Sequence, residues 1–99
     1  MIEFNVNPDI SKAKSIDSKF YSSNKYYNIS LDKIFKNSWQ LTCHKSELVE
    51  TNLYPFTFLD NSISEPLIIS KAKSKISCLS NVCTHRGHIL QDNKCNRKK

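Results

Sequence analysis

Two hydrophobic periods divide the chain. Tyr27, Leu31, Ile34 and Phe35 fall at i, i+4, i+7 and i+8, the spacing of one helical face. This predicts a helix over residues 23–36, with a hydroxyl from Ser22-Ser23 to cap its first turn and Asn37 to stop it. After that the period drops to two. Trp39, Leu41 and Cys43 alternate with Gln40, Thr42 and His44, the pattern of a half-buried strand. Residues 54–59, 66–70 and 75–79 predict three more short strands. Asp60-Asn61-Ser62 would loop between the second and third, and residues 71–74 would turn before the fourth. Tyr54, Phe56 and Phe58 read as a core-facing side, and Trp39 as the anchor of a helix–sheet contact. Residues 1–18 carry no sustained period and read as a polar arm. The expected fold is therefore mainly β with one N-terminal helix: arm and helix in residues 1–37, then a small antiparallel β domain in residues 38–99.

Composition narrows what such a fold can do. Ninety-nine residues build one modest core. The formal charge of +6 comes from 15 basic against 9 acidic residues. The lysines are scattered, apart from Lys71, Lys73, Lys75 and the closing Arg97-Lys98-Lys99, whereas nucleic-acid binding calls for a basic stripe with interleaved aromatics. A solvated surface is expected, with no nucleic-acid partner. The longest aliphatic run, Leu67-Ile68-Ile69, is far short of the ~20 residues that cross a bilayer. Residues 1–10 hold no basic-then-apolar leader pattern, so a cytoplasmic chain is expected. In a reducing compartment its four cysteines favour metal or cofactor ligation over a disulfide framework.

One segment carries candidate chemistry: Cys83-Thr84-His85-Arg86-Gly87-His88. In an extended chain, residues two apart point to one side, about 6.5–7 Å from each other. A thiolate and an imidazole so placed suit two adjacent metal centres. Gly87, the only glycine, permits a tight backbone just past them.

Residues 79–90, following a predicted strand, resemble the first cluster-binding loop of the Rieske non-haem iron oxygenases. Upstream, Phe20-Tyr21, Ile34-Phe35, Ser38-Trp39-Gln40, Tyr54-Pro55-Phe56 and Glu65-Pro66-Leu67-Ile68-Ile69 resemble the N-terminal part of that family in order and spacing. The resemblance implies a [2Fe–2S] cluster, with Cys83 ligating one iron and His85 the other, and Arg86 anchoring the loop. Two imidazoles in place of two thiolates raise the cluster's potential. It also implies a catalytic domain holding a mononuclear iron on two histidines and a carboxylate. A ferredoxin or reductase would supply electrons, within a homo-oligomer. The family's second loop, Cys-x-x-His, should fall beyond Lys99; Cys95 comes too early, and no histidine follows it. The expectation is thus an incomplete Rieske-type β domain, truncated before the second ligand loop and the catalytic domain and inactive alone.

Two other readings compete. One is a zinc module using Cys78, Cys83, His85 and His88, or Cys95 in place of one, since zinc accepts mixed N/S ligands in a tetrahedron. The other is a metal-free interaction domain. Taken singly, Cys78 reads as a buried small hydrophobe on the fourth strand. Cys43 and His44, adjacent on a strand, point to opposite faces, the first to the core and the second to solvent. His88 reads as a solvent-facing or supporting residue.

Overall fold

The structure, a computed structural model, describes residues 4–97. Met1, Ile2 and Glu3 of the expected arm, and Lys98 and Lys99 of the closing basic run, lie outside the described residues. The chain divides into two compact units, Met1–Gln40 and Leu41–Lys99.

The first unit is helical. A short α1 (Lys19–Ser22) is followed by α2 (Asn24–Lys33) and a 3₁₀ turn, Phe35–Asn37. Ser23 is the N-cap of α2, as expected, but its hydroxyl makes no capping bond. Asn37 does end the helical run, its Nδ2 donating to the Asp32 carbonyl at 2.6 Å. The inward face differs from the predicted one. Tyr27, Ile34 and Phe35 are exposed, and the aromatic contacts run through Tyr26. Its ring meets Phe4 at 4.7 Å and Phe20 at 6.1 Å, with Phe4 and Phe20 edge-on at 5.6 Å. Ser30, one turn on, is buried and donates its Oγ–H to the Tyr26 carbonyl at 2.8 Å. Two aromatic rings from the preceding segment outweigh the aliphatic stripe, because stacked and edge-on rings bury large area with favourable geometry.

The second unit is a three-stranded antiparallel meander, β1 (Leu53–Phe58), β2 (Glu65–Ala72) and β3 (Lys75–Ser80), in the order β1-β2-β3. It is the mainly β, unclosed sheet that the sequence predicts. Ile68 and Ile69 in the central strand are both buried, and being adjacent they cover opposite faces. Ile68 sits between Pro55 and Leu79, and Ile69 between Tyr54 and Cys78. The β1–β2 connection is wound tightly: the N–H groups of Ser62, Ile63 and Ser64 all converge on the Leu59 carbonyl at 3.1 Å. Lys73 and Ser74 form the two-residue β2–β3 hairpin, with Lys73 at φ 56°, the left-handed region that such hairpins use.

The first of the four predicted strands is absent. Residues 38–44 form no ladder among the described residues, and Trp39 and Leu41 are 103% and 95% exposed. Alternation alone makes no strand without a neighbour to pair, and Trp39 is exposed rather than buried as an anchor. Instead a 3₁₀ turn, Lys45–Leu48, caps one face of the sheet. His44 Nδ1 accepts from the Ser46 N–H at 3.3 Å, Leu48 is buried, and Lys71 donates to the Leu48 carbonyl at 2.9 Å. Beside it, Lys94 pairs with Glu47 and lies 4.4 Å above the Tyr54 ring. Tyr54, Phe56 and Phe58 are half-buried on that face. Cys43 is half-buried and His44 exposed, whereas Cys78 is exposed rather than buried. The reason lies in topology: β3 is an edge strand, and no described element lies over its outer half.

The end of the described chain returns to the sheet. Cys95 bridges Leu53 on the free side of β1, exchanging N–H···O bonds of 3.1 and 3.2 Å. Asn52 then holds Arg97, donating to its carbonyl at 2.7 Å and accepting from its N–H at 2.8 Å.

Candidate metal centre

β3 ends at Ser80, and the chain leaves the sheet through Asn81. The excursion closes on itself. Val82 and Ile89 form an antiparallel rung, the Cys83 N–H donates to the His88 carbonyl at 2.7 Å, and the Leu90 N–H donates to the Asn81 carbonyl at 2.9 Å. Inside this neck, the Gly87 N–H donates to the Cys83 carbonyl at 2.9 Å, with Gly87 at φ +65°. Residues 83–87 are therefore a tight turn, not the extended segment expected from the Cys-x-His spacing. The bond from Gly87 back to Cys83 forces the reversal, and glycine's freedom at positive φ permits it.

The turn gives the spacing a different meaning. The backbone N–H groups of His85, first, and of Arg86 face the sulfur and hold the Cys83 thiol below its usual range. Donors aimed at sulfur favour the thiolate, the form that binds metals. Cys83 is half-buried, while Thr84, His85, Arg86, Gly87 and His88 are exposed. The arrangement presents one half-buried thiol and, two residues on, one solvent-facing imidazole.

Cys83 and His85, the ligands the resemblance implies, both lie on this turn. Among the described residues no three or more of His, Cys, Asp and Glu gather to hold a metal ion. The zinc module imagined from Cys78, Cys83, His85 and His88 thus does not assemble. Cys78 lies out on β3, and Cys95 is committed to the edge of β1.

Asn81 had no place in the expected site. It is 3% exposed, and its side chain spans the neck: Nδ2 donates to the Gln91 carbonyl at 2.8 Å, and Oδ1 accepts from the Gln91 N–H at 3.1 Å. Nothing in a single sequence separates such an asparagine from a surface one, because its partners lie across the loop.

Comparison with known proteins gives the family. Residues 38–99 match the Rieske [2Fe-2S] domain family. The α subunit of the methanesulfonate monooxygenase hydroxylase of Methylosulfonomonas methylovora is 31% identical over 85 residues, 85% of this chain and 20% of that protein. The carnitine monooxygenase oxygenase subunit of Acinetobacter baumannii is 35% identical over 89 residues, 89% of this chain and 23% of that protein. The chloroplastic choline monooxygenase of Amaranthus tricolor is 34% identical over 73 residues, 74% of this chain and 16% of that protein. No solved structure matches the chain. The chain belongs to the Rieske [2Fe–2S] domain family, whose cofactor is an iron–sulfur cluster that carries electrons. It spans about a fifth of the length of the curated relatives it matches. No helix among the described residues is long and apolar enough to cross a membrane.

Proposed function

We propose that residues 38–99 are the cluster-carrying, electron-transfer part of a Rieske-type oxygenase, with residues 1–37 as an N-terminal arm and helix. Cys83 gives its thiolate to one iron of a [2Fe–2S] cluster, and His85 gives a neutral imidazole nitrogen to the other. The observation that carries this reading is the turn itself: within a matched Rieske segment, Cys83 has backbone donors aimed at its sulfur and His85 stands free in solvent. When bound, such a cluster accepts one electron and passes it on. The chain's own residues set the conditions for that. The N–H groups around Cys83 favour the deprotonated ligand, Gly87 closes the turn, and the exposed face of His85 is where a partner could approach.

The second cysteine–histidine pair of a complete site is not among residues 1–99, since no histidine follows Cys95. A longer polypeptide would supply it, together with a catalytic domain holding a mononuclear iron. That polypeptide would work in the cytoplasm as a homo-oligomer fed by a ferredoxin or reductase. The 99-residue chain alone would then be inactive and hold no intact cluster. The test is iron and acid-labile sulfide analysis with a visible spectrum, on the 99-residue chain and on a polypeptide extended through the next Cys-x-x-His in the coding sequence. The extended form should be red-brown with two irons, and Cys83→Ser or His85→Ala should abolish that colour. A colourless extended form, or full iron in either variant, would refute the assignment.

A further inference from the structure

Every polar group of Asn81 is engaged. Its N–H donates to the Pro66 carbonyl of β2 at 2.9 Å, and its carbonyl accepts from the Leu90 N–H at 2.9 Å. Its side chain binds both backbone groups of Gln91. The residue therefore joins three things: the central strand, the start of the ligand loop and the end of it. Gln91 carries the tie onward. Its Oε1 accepts from Arg97 Nη2 at 3.3 Å, and the Arg97 backbone is held by Asn52 beside β1. Beyond the neck there is little packing to hold the loop, since Thr84 through Leu90 are exposed. The direction in which Cys83 and His85 project is then set by hydrogen bonds at the base, not by burial.

We infer that Asn81 is a positioning residue for the cluster ligands: its carboxamide, clasping Gln91, fixes the geometry of the turn that carries Cys83 and His85. Few side chains can substitute. The clasp needs one donor and one acceptor a fixed distance from the backbone, in a site closed to water. Serine is too short to reach both groups of Gln91, alanine offers neither, and aspartate at neutral pH has no donor. A neighbouring apolar residue would leave two backbone groups of Gln91 to find water instead.

This inference rests on the assignment of Cys83 and His85 as ligands, and its test separates the two. Amide hydrogen exchange is measured by NMR on the full chain and on Asn81→Ser and Asn81→Ala, both uncharged. Loss of the clasp should speed exchange at Cys83 and Gly87 about tenfold, the effect of losing roughly one hydrogen bond's stabilisation, while Ile68 and Ile69 in β2 keep their parent rates. A rise confined to Gln91 would make Asn81 a local brace and overturn the inference. An equal rise at Ile68 and Ile69 would reduce it to general stability and also overturn it. Should Asn81→Ala fail to fold, Asn81→Ser decides alone. In a cluster-loaded polypeptide, Asn81→Ser should also move the midpoint potential and the EPR g-values at full iron content, and unchanged values there would overturn the inference too. A polypeptide that never binds iron would refute the ligand assignment while leaving the exchange result standing.

Discussion

Gly87 offers a clean separation of torsion from crowding. It sits at φ +65°, and a Cβ built there meets nothing within 4 Å. Gly87→Ala therefore costs only the left-handed backbone penalty, ~1–2 kcal/mol for a residue with a Cβ. Against that, alanine has a less disordered unfolded state, which returns roughly 0.4–1 kcal/mol. The net loss should be about 1 kcal/mol, or roughly 4–8 °C in Tm for a domain of this size. Lys73 supplies the mirror experiment. It holds φ 56° with a side chain present, so Lys73→Gly relieves the same strain and gives back the same entropy. It should stabilise by ~0.5–1 kcal/mol. Urea unfolding of both variants against the parent, with the slope required to stay constant, reads the two numbers directly. Gly87→Asn is the internal control and should lose less than alanine, because asparagine tolerates this region. A loss above roughly 3 kcal/mol for Gly87→Ala would mean that the loop is crowded where the structure leaves it open. No loss at all would mean that the turn does not use positive φ, and the bond from Gly87 back to Cys83 would go with it.

Other outcomes follow from the same structure. Ile69→Ala should destabilise by about 2–5 kcal/mol in chemical unfolding, whereas Leu79→Ala on the exposed edge of β3 should fall within roughly 0.5 kcal/mol of the parent. Asn52→Ala frees both backbone groups of Arg97, so limited proteolysis should cut the C-terminal segment sooner than in the parent, with the β2 amides still protected. The Glu47–Lys94 pair makes stability depend on pH. Lys94 holds the Glu47 carboxyl below its ordinary value of 4.5, so the pair's contribution is present above that value and fades as pH falls through the lowered one. Lys94 is itself raised above 10.5 by Glu47, so the contribution is present below 10.5 and fades as pH climbs through the raised value. Glu47→Gln should flatten both limbs of a Tm–pH profile at low salt. Because the pair is exposed, high salt should shrink the difference between variant and parent. A Tm–pH profile identical to the parent's at low salt would remove this pair from the account.

Much of the fold was legible because its signals are local. The aliphatic run Leu67-Ile68-Ile69 marks a strand, and residues 71–74 and Asp60-Asn61-Ser62 mark reversals, each readable from a few neighbouring residues, although β2 extends through Ala72 so that only Lys73 and Ser74 turn. The misreadings share one cause. Trp39, Leu41 and Cys43 alternate correctly for a strand yet find no partner to pair with among the described residues. Cys78 has the composition of a buried position but lies on the sheet's edge. Tyr27 has the right helical spacing, but Phe4 and Phe20 select Tyr26 instead. Whether a residue is covered depends on what arrives from elsewhere in the chain, and periodicity carries no information about that.

The same division holds for the site. Sequence alone determined the chemistry on offer, a thiol and an imidazole two residues apart beside the single glycine, because reactive groups and their spacing are written in order along the backbone. Tertiary structure decided how that chemistry is presented. It turned an expected extended segment into a closed loop, brought the His85 and Arg86 N–H groups to the Cys83 sulfur, and buried Asn81 as the clasp at the neck. It also set Lys71 against Leu48 and Lys94 against Glu47, pairs separated by 23 and 47 residues. Such contacts form only once the sheet has brought distant segments together, which is why no reading of neighbouring residues could supply them.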